Sequence, residues 1–166
     1  MRLRLAPLLL APLLASCQPP EIAARAVFYG DALAFIAADP GDSDEVGCWD
    51  AGTVVDDSLR PVWRFSGPGR GECGKLFPLF YGRAPEGAET AIEATRLEPG
   101  RLYLFIGDST AGISGAFAFT QAGNTRIVHD IDPDSPAADL VRQRWWAREV
   151  PAIASAAPPS ATEGGR

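Results

Sequence analysis

The chain has 166 residues, 46% of them hydrophobic, and 15 basic against 21 acidic residues give it a formal net charge of −6. That length and apolar content suffice for one domain around one core. The acidic balance removes any electrostatic ground for a nucleic-acid partner.

At the N-terminus, Arg2 and Arg4 precede an apolar stretch from Leu5 to Leu14, and Leu14-Ala15-Ser16-Cys17 closes it with small residues ahead of a cysteine. An apolar core this short does not span a bilayer permanently, so it reads as a removable signal. The segment resembles the lipobox of bacterial lipoproteins. The resemblance implies cleavage after Ser16 and acylation of Cys17, with membrane lipid as the partner. Several acyl chains make a durable anchor, because each buried methylene contributes about 0.8 kcal/mol. Gln18 stands where that family's inner-membrane signal has Asp, which implies an outer-membrane address facing the periplasm. The alternative is an ordinary secretory signal cut elsewhere, with Cys17 incidental. Loss of residues 1–16 removes Arg2 and Arg4 and no acid, which moves the formal charge from −6 to −8.

The expected organisation is a signal over 1–16, a lipidated tether over 17–23, a folded body over 24–150 and a disordered tail over 151–166. The tail reads so because it holds Pro, Ala, Ser and Gly without apolar periodicity.

Residues 26–41 hold two apolar runs split by Gly30-Asp31, the pattern of a tight hairpin. An acidic loop, "GDSDEVG", leads to Cys48. With Cys17 acylated, Cys48 and Cys73 form an even pair in an oxidising compartment, and a disulfide is expected between them. Residues 52–67 read as strand, turn, strand. Residues 67–74 are a glycine-rich loop. Residues 75–82 read as an edge strand, because Pro78 lacks the donor a central strand needs.

Leu97, Pro99, Gly100, Tyr103 and Phe105 have the spacing of an L-x-P-G-x-x-Y-x-F corner. That pattern resembles the tyrosine corner of fibronectin type III and immunoglobulin-like domains, which implies a Tyr103 hydroxyl bonded back to the chain. Strands over 115–120 and 125–131 then complete a meander. Ser135 as N-cap and Pro136 as first helical residue open a short C-terminal helix with Leu140, Val141, Trp145 and Val150 roughly along one face. The predicted fold is therefore mainly β: an antiparallel, immunoglobulin-like β-sandwich with a short C-terminal helix.

Three stretches invite a chemical reading. Gly107-Asp108-Ser109 follows an apolar run and is similar to the first block of GDSL hydrolases. However, that family's Asp-x-x-His base is missing, because Arg126 stands three residues before His129. The trypsin-like Gly-Asp-Ser-Gly-Gly fails at Thr110 and Ala111. An up-down-up meander could still bring Ser109, Asp108, His129 and Asp130 to one rim, whereas the plain reading is a hairpin loop. Asp130, Asp132 and Asp134 alternate as calcium ligands often do, but Ser135 and Val141 stand where an EF-hand has glycine and glutamate. They read as a capped loop, and no metal or cofactor is expected. The third stretch is "RQRWWAR". Here Trp145 reads as packed on the sheet, and Arg142, Arg144, Trp146 and Arg148 as a half-solvated face with arginine stacked on indole. The alternative is a contact with an envelope protein or with lipid headgroups.

The sequence thus predicts a membrane-anchored periplasmic lipoprotein serving as a binding or accessory module, not an enzyme. The rivals are a small serine hydrolase using Ser109 and His129, and a purely structural envelope lipoprotein.

Overall fold

The computed structural model describes residues 21–67, 73–109, 111–132 and 134–156, with side chains described through Arg148. The stretch expected as a signal, Cys17 and the residues from 157 onward lie outside the described residues.

The chain forms β1 (Glu21–Tyr29), β2 (Ala32–Ala37), a 3-10 turn over Pro40–Asp44, β3 (Val46–Gly47), β4 (Ala51–Asp56), β5 (Pro61–Ser66), β6 (Gly74–Lys75), β7 (Leu79–Phe80), β8 (Glu89–Ile92), β9 (Tyr103–Asp108), β10 (Gly112–Ala122), β11 (Thr125–Ile131) and α1 (Pro136–Ala156). Nine strands share one sheet in the order β7-β2-β1-β10-β9-β4-β5-β8, with β11 also paired to β10. The fold is mainly β with a C-terminal helix, as predicted. In place of two separate layers, however, one hydrogen-bonded path curls into a half-barrel.

The cause is β1, which serves both arms of the curl. Glu21, Ile22 and Ala23 run parallel to Gly112, Ile113 and Ser114 of β10. From Ala24 to Tyr29 the same strand pairs antiparallel with β2. The parallel step departs from the all-antiparallel expectation. It depends on Gly115, where an added Cβ would sit 2.4 Å from the Ala24 carbonyl oxygen. No larger residue lets β1 cross β10 so closely.

The three-stranded arm β1-β2-β7 lies over the six-stranded arm, and rings fill the gap. Phe35 of β2 stacks on Phe105 of β9 at 4.3 Å and meets Phe117 of β10 edge-on at 5.7 Å. Period-two alternation explains who faces inward: Tyr103 and Phe105 point into this core, while Leu104 and Ile106 point to the opposite face. Trp63 is fully buried beside Phe65 and Tyr81, and its indole Nε1 has no hydrogen-bond partner among the described residues.

The opposite face of the large arm is covered by α1. Val55, Leu104 and Ala116 of the sheet meet Ala138, Val141 and Trp145 of the helix. Ser135 caps the helix, with its Oγ accepting from Ala138 N at 3.4 Å. The buried stripe is 138, 141 and 145, close to the expected face, but Leu140 lies off it at 47% exposure. The helix runs to Ala156, six residues into the stretch expected as tail. Likewise β1 starts at Glu21, three residues ahead of the expected start of the body. Among the described residues, no helix is long and apolar enough to cross a membrane.

The predicted turns hold. Gly30 makes the β1–β2 turn at φ 61°, and β7 is a two-residue edge strand just after Pro78. Cys48 and Cys73 form the disulfide, with Cα atoms 4.4 Å apart. Beside it, Lys75 Nζ pairs with Asp44 at 2.6 Å, which holds the Asp44 carboxyl below its usual range.

Candidate functional site

The sequence-predicted rim does not assemble. Ser109 closes a local turn in which its Oγ donates to Ala111 O at 2.9 Å and accepts from Ala111 N at 3.2 Å. His129 lies on exposed β11, with Nε2 3.1 Å from Thr120 Oγ1. In the ladders Asp108 stands opposite Gly112 while His129 stands opposite Ala118. Six residues of β10 separate those levels, about 20 Å at the strand repeat. The physical reason is β1. It occupies the β10 edge at Gly112–Ser114, so β11 pairs only from Ala116 onward and stops short of the rim. Ser109 and His129 are therefore not within hydrogen-bond reach.

The Asp-rich loop is also local. Asp132 Oδ1 accepts from Asp134 N at 2.9 Å, and Asp134 lies 3.7 Å from Arg142 Nη1. Among the described residues, no three His, Cys, Asp or Glu side chains gather as metal ligands.

The "RQRWWAR" stretch does form a surface. Trp145 is 3% exposed in the outer core and carries Arg64 of β5 over its ring at 5.5 Å, whereas Trp146 is 47% exposed. Arg148 donates to Leu59 O at 3.1 Å and ties the helix to the β4–β5 turn. Arg144 is exposed and Arg142 half-buried. Between this helix and the sheet runs an open cleft of about 480 Å³, bordered by Trp146, Arg142, Ile106, Gly112, Ser114 and Glu21. Ser114 Oγ donates to Glu21 Oε1 at 2.5 Å. The start of β1 and the exposed indole thus border the same concavity. That juxtaposition lies beyond sequence reading, because residues 21, 114 and 146 come together only through the β1–β10 crossing.

Two further constellations escaped the sequence. Asp56 is fully buried, and its carboxylate accepts from Ser58 N at 2.9 Å and Arg60 N at 3.0 Å, with Arg101 Nη1 at 3.3 Å. Arg101 also pairs with Asp57 and Glu98, and the bond to Asp57 leads the effects that raise its pKa. The only sequence signal was an acid continuing the buried run Val54-Val55. Next to this knot, Tyr103 Oη accepts from Glu98 N at 2.7 Å, the bond back to the chain that the corner pattern implied. At the mouth of the curl, a cleft of about 220 Å³ is bordered by Phe28, Tyr81, Arg96 and Arg126. Tyr81 Oη faces the carbonyls of Thr95 at 2.8 Å and Val62 at 3.0 Å, and burial pushes its pKa up to about 12.

The helix-and-β1 cleft sets the half-exposed indole of Trp146 beside Arg142 where β1 begins, and it is the candidate interaction site. Comparison with protein families, with curated proteins and with solved structures finds no match for this chain.

Proposed function

We propose that this chain is a membrane-anchored lipoprotein of the bacterial envelope, acylated at Cys17, held at the outer membrane and facing the periplasm. Its curled β body serves as a binding or accessory module rather than a catalyst. The observation that carries the reading is Leu14-Ala15-Ser16-Cys17 at the end of a charged-then-apolar leader. The Cys48–Cys73 disulfide fits an oxidising compartment. The separation of Ser109 from His129 counts against the rival serine hydrolase built on those two residues.

The finer description of the body as immunoglobulin-like belongs to the same proposal. It rests on the Tyr103 corner and on the packing of one arm over the other, against the continuous path through β1.

Mass spectrometry of the chain purified from native membranes tests the anchor. The expected N-terminal peptide begins at Cys17 and carries acyl chains, and Cys17→Ser leaves a water-soluble chain. A native chain that still begins at Met1 without lipid would refute it.

A further inference from the structure

We infer that the exposed face of α1 around Trp146 and Arg144 rests on the phospholipid headgroups of the membrane that holds the anchor. This orientation rests on the acylation of Cys17 proposed above.

The first ground is distance along the chain. β1 starts at Glu21, four residues after Cys17. Four residues reach at most about 14 Å even when fully extended. The acyl chains enter the bilayer at Cys17, so the part of the body around Glu21 cannot stand far from the headgroup layer. Glu21 borders the same cleft as Trp146 and Arg142. The surface that the short tether brings down is therefore this one, and not the mouth of the curl, where Arg126 of β11 and the Gly30 turn lie at the far end of β1.

The second ground is chemistry. Trp146 is 47% exposed beside a helix stripe that is otherwise buried. An indole with an apolar body and a polar N–H is the side chain most at home between hydrocarbon and water. Arg144, also exposed, lies about 160° from Trp146 around the helix, so the two side chains flank its outward face opposite the buried stripe. Guanidinium groups pair with phosphate oxygens. An acidic body would otherwise be repelled by anionic lipid. Turning the side that carries Arg144 and Trp146 toward the headgroups offsets part of that repulsion. The short tether keeps these groups at high effective concentration beside the bilayer, so contacts too weak to bind a free protein suffice to orient an anchored one.

The test uses the mature acylated chain, with lipidation confirmed by mass spectrometry, reconstituted in phosphatidylethanolamine–phosphatidylglycerol vesicles. Some of the lipid is brominated near the headgroup to quench tryptophan emission. Trp49, Trp63 and Trp145 are buried at 7%, 0% and 3% exposure, so contact quenching reports on Trp146. The expected result is quenching that disappears in Trp146→Phe and falls in Arg144→Glu. Both variants alter exposed positions, and unchanged circular dichroism will show that each folds. Emission from the anchored chain indifferent to brominated lipid overturns the orientation while leaving the anchor intact. The orientation is also overturned if a photocrosslinker at position 146 in intact cells captures a protein in place of lipid. A chain found unacylated removes the anchor and the orientation together, and mass spectrometry alone distinguishes that failure.

Discussion

The centre of the large arm, β4, β9 and β10, is buried on both faces, but the two faces are covered by different means. On the inner face, β1, β2 and β7 are hydrogen-bonded into the same sheet and press Phe35 against Phe105 and Phe117. On the outer face a single helix supplies Ala138, Val141 and Trp145 as its buried residues among those described. The inner cover cannot leave without breaking the β1–β10 ladder that joins the two arms. The outer cover can loosen while the ladders stay paired. Stability should therefore concentrate inside the curl, and adaptability in the helix that carries the candidate interaction face.

The largest effect should come from Phe105→Ala. This ring is fully buried between Phe35 and Trp49, and its removal should cost about 4 kcal/mol in urea unfolding. A cost below that of any outer-face variant would reverse the comparison. Next, reduction of Cys48–Cys73 opens a loop of 25 residues and should cost about 3 kcal/mol in a thermal melt with and without reductant. Equal melting temperatures would mean that the short β3–β6 ladder holds that loop by itself.

Val141→Ala sharpens the contrast. Two buried carbons are lost, roughly 1.6 kcal/mol at the usual value per methylene. The effect should appear in hydrogen exchange as faster amides in α1, with β4 and β9 unchanged. Equal acceleration in the strands would show that the two faces unfold as one unit.

The smallest effect is in pH. Tyr81 is raised from 10.0 to about 12, first by burial. Its neutral phenol is thus favoured in the folded chain. The stability tied to it is complete below pH 10 and is lost as pH rises toward 12. Tyr103 shifts in the same direction, again led by burial. Alkaline melts should show this decline, and Tyr81→Phe should flatten it. Both phenols belong to the inner region, so α1 amides should follow the strands here and not precede them.

Much of the architecture was legible in short stretches. Gly30-Asp31 between apolar runs, Pro78 at an edge, Leu97 to Phe105 as a corner and Ser135-Pro136 as a helix start all depend on contacts within a few residues. Each signal appears where it was read. Leu140 was misplaced because a helical face is broad, and which part of it is buried depends on where the sheet lies. Asp56 has local partners in Ser58 and Arg60, but its burial and its contact with Arg101, 45 residues away in the chain, arise only through the β4–β9 ladder.

The sequence by itself determined the strand-rich character, the disulfide partners and the start of α1. The physical reason is that turns, caps and alternation are local chemistry. Only the tertiary structure decided that β1 joins both arms, that β11 therefore stops short of the Ser109 turn, and that Glu21 borders a cleft with Trp146. Those facts follow from backbone pairing between residues about ninety positions apart. At that distance nothing in the intervening chain records which edge is already occupied.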